Sequence, residues 1–129
     1  MAKALVIDDE ADARAFVRAI LEGEDWEVSE AEDGEAGIAA AKADKPELIV
    51  LDVQMPKKDG FGVFGDLIKD PDTADCKVIM LTGVGEKFGI KFSSGAMGDF
   101  LGKEPDAYCE KPIDPEAFKR VVAKVIGGA

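Results

Sequence analysis

The sequence predicts a doubly wound α/β domain: a five-stranded parallel sheet in the order 2-1-3-4-5, with helices on both faces. Three observations predict it. Short aliphatic runs alternate with helix-length segments along the chain, the pattern of strand-helix-strand units whose right-handed crossovers cover both sides of a parallel sheet. The runs Leu48-Ile49-Val50-Leu51 and Val78-Ile79-Met80-Leu81 are continuously apolar and too short for free-standing helices, so they read as strands buried on both faces. Three of the runs end on polar groups: Asp8-Asp9, Asp52 and Thr82. An open α/β sheet binds ligands beyond the carboxyl ends of its strands, at the point where the strand order reverses.

Taken in order, Ala4-Leu5-Val6-Ile7 is the first strand. Ala11 to Glu22 is the first helix, with Phe16, Val17, Ile20 and Leu21 on one face, Arg14, Arg18 and Glu22 off it, Asp9 and Asp12 as available caps and Gly23 as its stop. Trp26 to Ala31 alternates as an edge-like strand. Asp33-Gly34 is a turn, and Glu35 to Ala43 is an Ala-rich helix stopped by Lys45-Pro46. After the Asp52 strand, Met55-Pro56-Lys57-Lys58-Asp59-Gly60 is a loop and Phe61 to Lys69 a helix closed by Asp70-Pro71-Asp72. Gly83 to Glu104 carries six glycines and predicts a short or broken helix, since each interior Gly costs about 1 kcal/mol against Ala. Asp106 to Cys109 is a weak last strand. In the final helix Asp114 is the N-cap, Pro115 the first helical residue, and Phe118, Val121, Val122, Val125 and Ile126 the apolar face, with Gly127-Gly128 as the stop.

Bulk properties narrow the function. At 129 residues the chain fits one domain, residues 1–129, that buries roughly two-thirds of its unfolded surface. No apolar run approaches the roughly 20 residues of a membrane span, and Asp8-Asp9-Glu10 interrupt the first apolar stretch as no secretory leader would allow; a cytoplasmic protein without membrane insertion is expected. The formal charge of −11 and pI of about 4.4 oppose direct nucleic-acid binding. Cys76 and Cys109 form no metal-type cluster and read as small core thiols. With no histidine, histidine triads and histidine-zinc sites are excluded, and the chain's chemistry runs on carboxylates, hydroxyls and lysines.

In the 2-1-3-4-5 order the first and third strands are neighbours, so Asp8, Asp9 and Asp52 converge, with Thr82 and Lys111 arriving from the other side. Three carboxylates in one crevice repel one another, and a hard divalent cation relieves this. Magnesium suits an all-oxygen set better than zinc. Asp52 has nucleophilic carboxylate chemistry available to it. The Lys111 charge would offset that of a transferring phosphoryl group, and the Thr82 hydroxyl would donate to one of its oxygens.

Asp8-Asp9 after the first strand, Asp52 followed by Met55-Pro56 and Asp59-Gly60, Thr82-Gly83 after the fourth and Lys111-Pro112 after the fifth together resemble the response-regulator receiver domain of two-component signalling, over essentially the whole chain. The resemblance implies a flavodoxin-like fold and a stand-alone receiver with no output domain. It implies that Asp52 accepts a phosphoryl group from a sensor histidine kinase or phosphotransfer protein. Asp8 or Asp9, Asp52 and the Gln54 main-chain carbonyl would hold Mg2+, and Thr82, Gly83 and Lys111 would contact the phosphoryl group. Thr82 and Tyr108 would be the switch residues, with a cis peptide before Pro112. The output would be contact with a downstream protein or onward phosphorelay. The stretch from Thr82 to Lys111 is longer than the family's usual spacing, with Gly102-Lys103-Glu104-Pro105-Asp106 before the last strand.

Competing readings fit less well. A magnesium phosphohydrolase of the haloacid dehalogenase type needs a second Asp two residues after its nucleophile, where this chain has Gln54. A switch is therefore expected rather than a turnover enzyme. Flavin phosphate would be repelled by Asp8-Asp9-Glu10. A phosphate-independent receiver-like interaction module is the remaining alternative, and the presence of all the acids, Thr82 and Lys111 counts against it.

Overall fold

In the computed structural model, which describes residues 2–53, 60–82, 105–111 and 113–127, the chain runs β1 (Lys3–Ile7), α1 (Ala11–Gly23), β2 (Glu27–Ala31), α2 (Gly34–Asp44), β3 (Leu48–Asp52), α3 (Gly60–Lys69), β4 (Lys77–Thr82), β5 (Ala107–Glu110) and α4 (Pro115–Gly127). The strands form one parallel sheet in the order β2-β1-β3-β4-β5, as the sequence predicts. The helix expected within Gly83–Glu104 lies outside the described residues, as does the loop from Gln54 to Asp59.

Strand alternation divides the core into two layers. Leu5, Ile7, Ile49, Leu51, Val78 and Met80 face α2 and α3, where they meet Ala41, Val63, Phe64 and Leu67. Ala4, Val6, Leu48, Val50, Ile79 and Leu81 face the opposite way, onto Val17, Ile20 and Leu21 of α1 and Phe118, Val122 and Val125 of α4. Leu48, Ile49, Val50 and Leu51 are each 0% exposed, which is why β3 is apolar without alternation. The burial of each such side chain contributes about 1.5–3 kcal/mol before the entropy of ordering is subtracted. Cys76 lies in the first layer and Cys109 against the second, and neither is in a disulfide.

The helix boundaries show where local chemistry acts. The expected side-chain caps of α1, Asp9 and Asp12, do not act as such: Glu10 is the N-cap and its side chain makes no capping bond, while Asp8 Oδ1 accepts the Glu10 N–H at 3.0 Å. Gly23 is the last residue of α1, and the left-handed residue that turns the chain is Asp25, at φ 70°, a conformation aspartate tolerates. Asp33 caps α2 by accepting the Ala36 N–H at 2.8 Å, and Asp114 caps α4 by accepting the Ala117 N–H at 3.1 Å. Phe16 and Ile126, placed by periodicity on apolar faces, stand at the margins of their stripes, 44% and 36% exposed. Ahead of β5, Asp106 extends the ladder with both backbone and side chain: its N–H donates to Val78 O at 2.9 Å and its carboxylate accepts the Val78 N–H at 2.8 Å.

A cluster of ions ties α1 to β2. Glu30 accepts from Arg14 Nε at 3.0 Å and from Arg18 Nη1 at 2.7 Å, and Arg18 also pairs with Glu22. The Arg18 hydrogen bond holds the Glu30 carboxyl below the usual glutamate range; burial opposes it and the Arg14 bond adds to it.

Two predictions concern this framework. A Cβ on Gly37 would lie 2.5 Å from Ile7 Cδ1, 2.8 Å from Cγ1 and 3.0 Å from Cγ2, and a β-branched side chain has little freedom to yield. Gly37→Ala should therefore destabilise the fold by about 1–3 kcal/mol of overpacking despite alanine's better helix propensity, and Ile7→Val in that background should restore part of the loss in urea melts. Because the Glu30 pKa is depressed on folding, its contribution is present above the ordinary value of 4.5 and lost as pH falls through the folded value. Glu30→Gln should melt below wild type at neutral pH, and the gap should close as pH falls below the ordinary glutamate range and the folded carboxylate takes up its proton.

Candidate functional site

The sheet order determines which acids meet. Ile7 is paired with Leu51, so Asp8 and Asp52 are the next residues along two adjacent strands. By alternation Asp8 continues the row of Ala4 and Val6, and Asp52 that of Leu48 and Val50, so both carboxylates emerge on the α1/α4 side. Asp8 is 0% and Asp52 4% exposed, whereas Asp9 is exposed. One carboxylate oxygen from each of the three lies within 4.8 Å of the other two.

Lys111 enters this cluster from β5. Its backbone N–H donates to Thr82 O at 2.6 Å, and its ammonium lies 3.1 Å from Asp8 Oδ2, 3.3 Å from Asp52 Oδ1 and 3.9 Å from Glu10 Oε1. Burial disfavours the charged ammonium, but the Asp52 and Asp8 carboxylates outweigh it and raise the lysine pKa above its ordinary range. The lysine that the sequence assigns to a phosphoryl group is therefore also the counter-ion of the acid cluster.

The backbone around these groups is closely held. Asp8 N–H donates to Ala31 O at 3.1 Å, Val53 N–H to Leu81 O at 3.0 Å, and Gly60 N–H to Val53 O at 2.7 Å. A Cβ on Gly60 would strike the Asp52 carbonyl oxygen and come within 2.8 Å of Val53 Cα, so only glycine lets α3 begin this close to the end of β3.

The structure thus brings together Asp8, Asp9, Asp52 and Lys111. Thr82 ends β4 with its side chain half-buried. Tyr108 packs on the α2/α3 layer with Met80, its register partner, and by alternation Thr82 shares that face. Gln54, Gly83 and Pro112 lie outside the described residues. Two residues that the sequence reading left unassigned also belong here. Glu10 approaches Lys111, and Arg14 Nη1 donates to the Asp8 main-chain carbonyl at 2.7 Å. Glu10 could have been suspected from its adjacency to the acid pair, whereas nothing in the pattern pairs Arg14 with Glu30, 16 positions later.

Known proteins resemble this chain across nearly its whole length. The family model described as the response regulator receiver domain matches residues 4–123. Protein PilH of Pseudomonas aeruginosa is 30% identical over 130 residues, covering 99% of this chain and 100% of PilH. The probable transcriptional regulator ycf27 of Porphyridium aerugineum is 36% identical over 96% of this chain, which spans only 48% of that protein; the chain is about half the length of several such curated relatives. Among solved structures, chemotaxis protein CheY4 of Vibrio cholerae superposes with a TM-score of 0.82 at 26% identity, over 97% of this chain and 98% of CheY4. A family match across nearly the whole length, on a sheet whose order reverses where the acids gather, makes this chain a member of the response regulator receiver domain family.

Proposed function

We propose that the chain is a receiver switch in which Asp52 accepts a phosphoryl group from the phosphohistidine of a sensor kinase or phosphotransfer protein, and that a downstream protein reads the phosphorylated state. The observation that carries this reading is the Lys111 ammonium set between buried Asp8 and Asp52 at the end of the central strand. In the transfer, an Asp52 carboxylate oxygen forms a bond to phosphorus as the phosphorus–nitrogen bond to the donor imidazole breaks, and the imidazole retains the bonding electrons and takes a proton. Lys111 would shift its charge from the carboxylates to the incoming phosphoryl oxygens, and Thr82 and Gly83 would donate to those oxygens.

The donor set also fits Mg2+. Three carboxylates within 4.8 Å are hard oxygen ligands of the kind that hold this ion through one or two carboxylates while leaving positions for water and phosphate. Asp8, Asp9 and Asp52 would hold it with the Gln54 main-chain carbonyl, and when bound it supplies further neutralisation of phosphoryl charge. Thr82 and Tyr108 are assigned the response to phosphorylation. The receiver acts by protein contact or phosphorelay, as a population shift between two arrangements of one face. The match to PilH along 99% of this chain supports the receiver reading.

Incubation with Mg2+ and acetyl phosphate, followed by intact mass measurement, is expected to give one phosphoryl adduct in wild type and none in Asp52→Ala. An equal adduct in Asp52→Ala would reject the assignment. Lys111→Ala should slow adduct formation while leaving the acceptor in place.

A further inference from the structure

We infer that Arg14 and Glu30 are positioning residues for the acid pair: Glu30 holds the Arg14 guanidinium on the Asp8 main-chain carbonyl, and this sets the plane of the peptide joining Asp8 to Asp9. The inference deepens the proposed function and rests on its assignment of Asp8 and Asp9 to metal binding. The two acids are held very differently. Asp8 is fixed at its N–H by Ala31 O, at Oδ1 by the Glu10 N–H and at Oδ2 by Lys111. Asp9 is exposed, so its carboxylate is placed chiefly by its own backbone. The Asp8 carbonyl belongs to the peptide that delivers Asp9, and Arg14 Nη1 donates to that oxygen at 2.7 Å.

Arginine is the residue this bridge requires. Its rigid fork directs Nη1 to the carbonyl while Nε donates to Glu30 Oε1 at 3.0 Å; a lysine has one ammonium and cannot hold both directions in a fixed plane. Glu30 is in turn fixed through its second oxygen by Arg18 Nη1 at 2.7 Å. An ordinary surface ion pair contributes little, but here the Arg14 side chain is only 15% exposed and its Nη1 is directed at the backbone of the acid loop. The relay runs from β2 through α1 to the β1–α1 turn, alongside the Asp8 N–H bond to Ala31, the residue after Glu30. Both ends of the Asp8 residue are thereby referenced to β2.

The test compares wild type, Arg14→Met, Arg14→Lys, Glu30→Ala and Asp9→Asn by Mg2+ titration calorimetry and by amide NMR spectra recorded without metal. In Arg14→Met the Asp9 amide resonance should shift without metal and Mg2+ affinity should fall about 10-fold, the lower end of the usual effect of outer-shell partners. Glu30→Ala should show the same changes, smaller in size, and Arg14→Lys should recover part of the affinity lost in Arg14→Met. A folded Arg14→Met with an unmoved Asp9 amide and wild-type Mg2+ affinity would overturn the inference. If Arg14→Met does not fold, Glu30→Ala decides in the same way. If wild type and Asp9→Asn both fail to bind Mg2+ while the Asp9 amide still moves in Arg14→Met, the metal assignment fails and the positioning of the peptide stands.

Discussion

The Lys111 ammonium lies 3.1 Å from Asp8 and 3.3 Å from Asp52, and the carboxyl end of the sheet depends on that pairing. Asp8 and Asp52 are almost wholly buried, and an ionised carboxylate removed from water is costly unless a counter-charge meets it. Among the described residues, Lys111 is the lysine or arginine whose ion pairs reach both. It can do so because β5 lies beside β4, whose Thr82 carbonyl receives the Lys111 N–H. Strand order, ion pairing and chemistry are therefore one constraint. The reversal between β1 and β3 gathers the acids, and the parallel addition of β4 and β5 brings the cation to them.

The same pairing gives the site two states in principle. While carboxylates are the only anions present, Lys111 serves them. A phosphoryl group on Asp52 would offer it a stronger and differently placed partner, and the backbone bond from Lys111 to Thr82 would carry any change in its position to the end of β4. Tyr108 stands on the other face of the sheet from the acids, beside the α2/α3 layer, and by alternation Thr82 shares that face.

Much of this was legible from sequence, for a specific reason. The buried runs of β1 and β3 are unbroken, each ends on an acid, and doubly wound topology makes those strands neighbours, so Asp8 and Asp52 could be placed together without coordinates, with Lys111 arriving after the last strand. The cap at Asp114 was legible because capping is local, whereas Asp33, which the sequence presents as part of a turn, is the cap of α2. Long-range side-chain pairing was not legible. Arg14 and Glu30 are both ordinary surface residues by pattern, and their contact exists only because α1 packs across β2. The chain reversal at Asp25 rather than Gly23 was obscured by glycine being the more usual left-handed residue, and the exposure of Phe16 and Ile126 reflects apolar stripes wider than the surface available to cover them.

On the proposed function, the strand-end acids take a divalent cation, and Lys111 balances their charge in its absence. Thermal melts of wild type and Lys111→Met with and without Mg2+ test it most directly. Without metal, Lys111→Met should melt below wild type because the buried carboxylates lose their counter-charge. With Mg2+ it should gain more than wild type, since an ion that binds the folded cluster stabilises the fold in proportion to its affinity and no longer competes with the lysine. A Mg2+-induced rise equal to or smaller than that of wild type would contradict the claim.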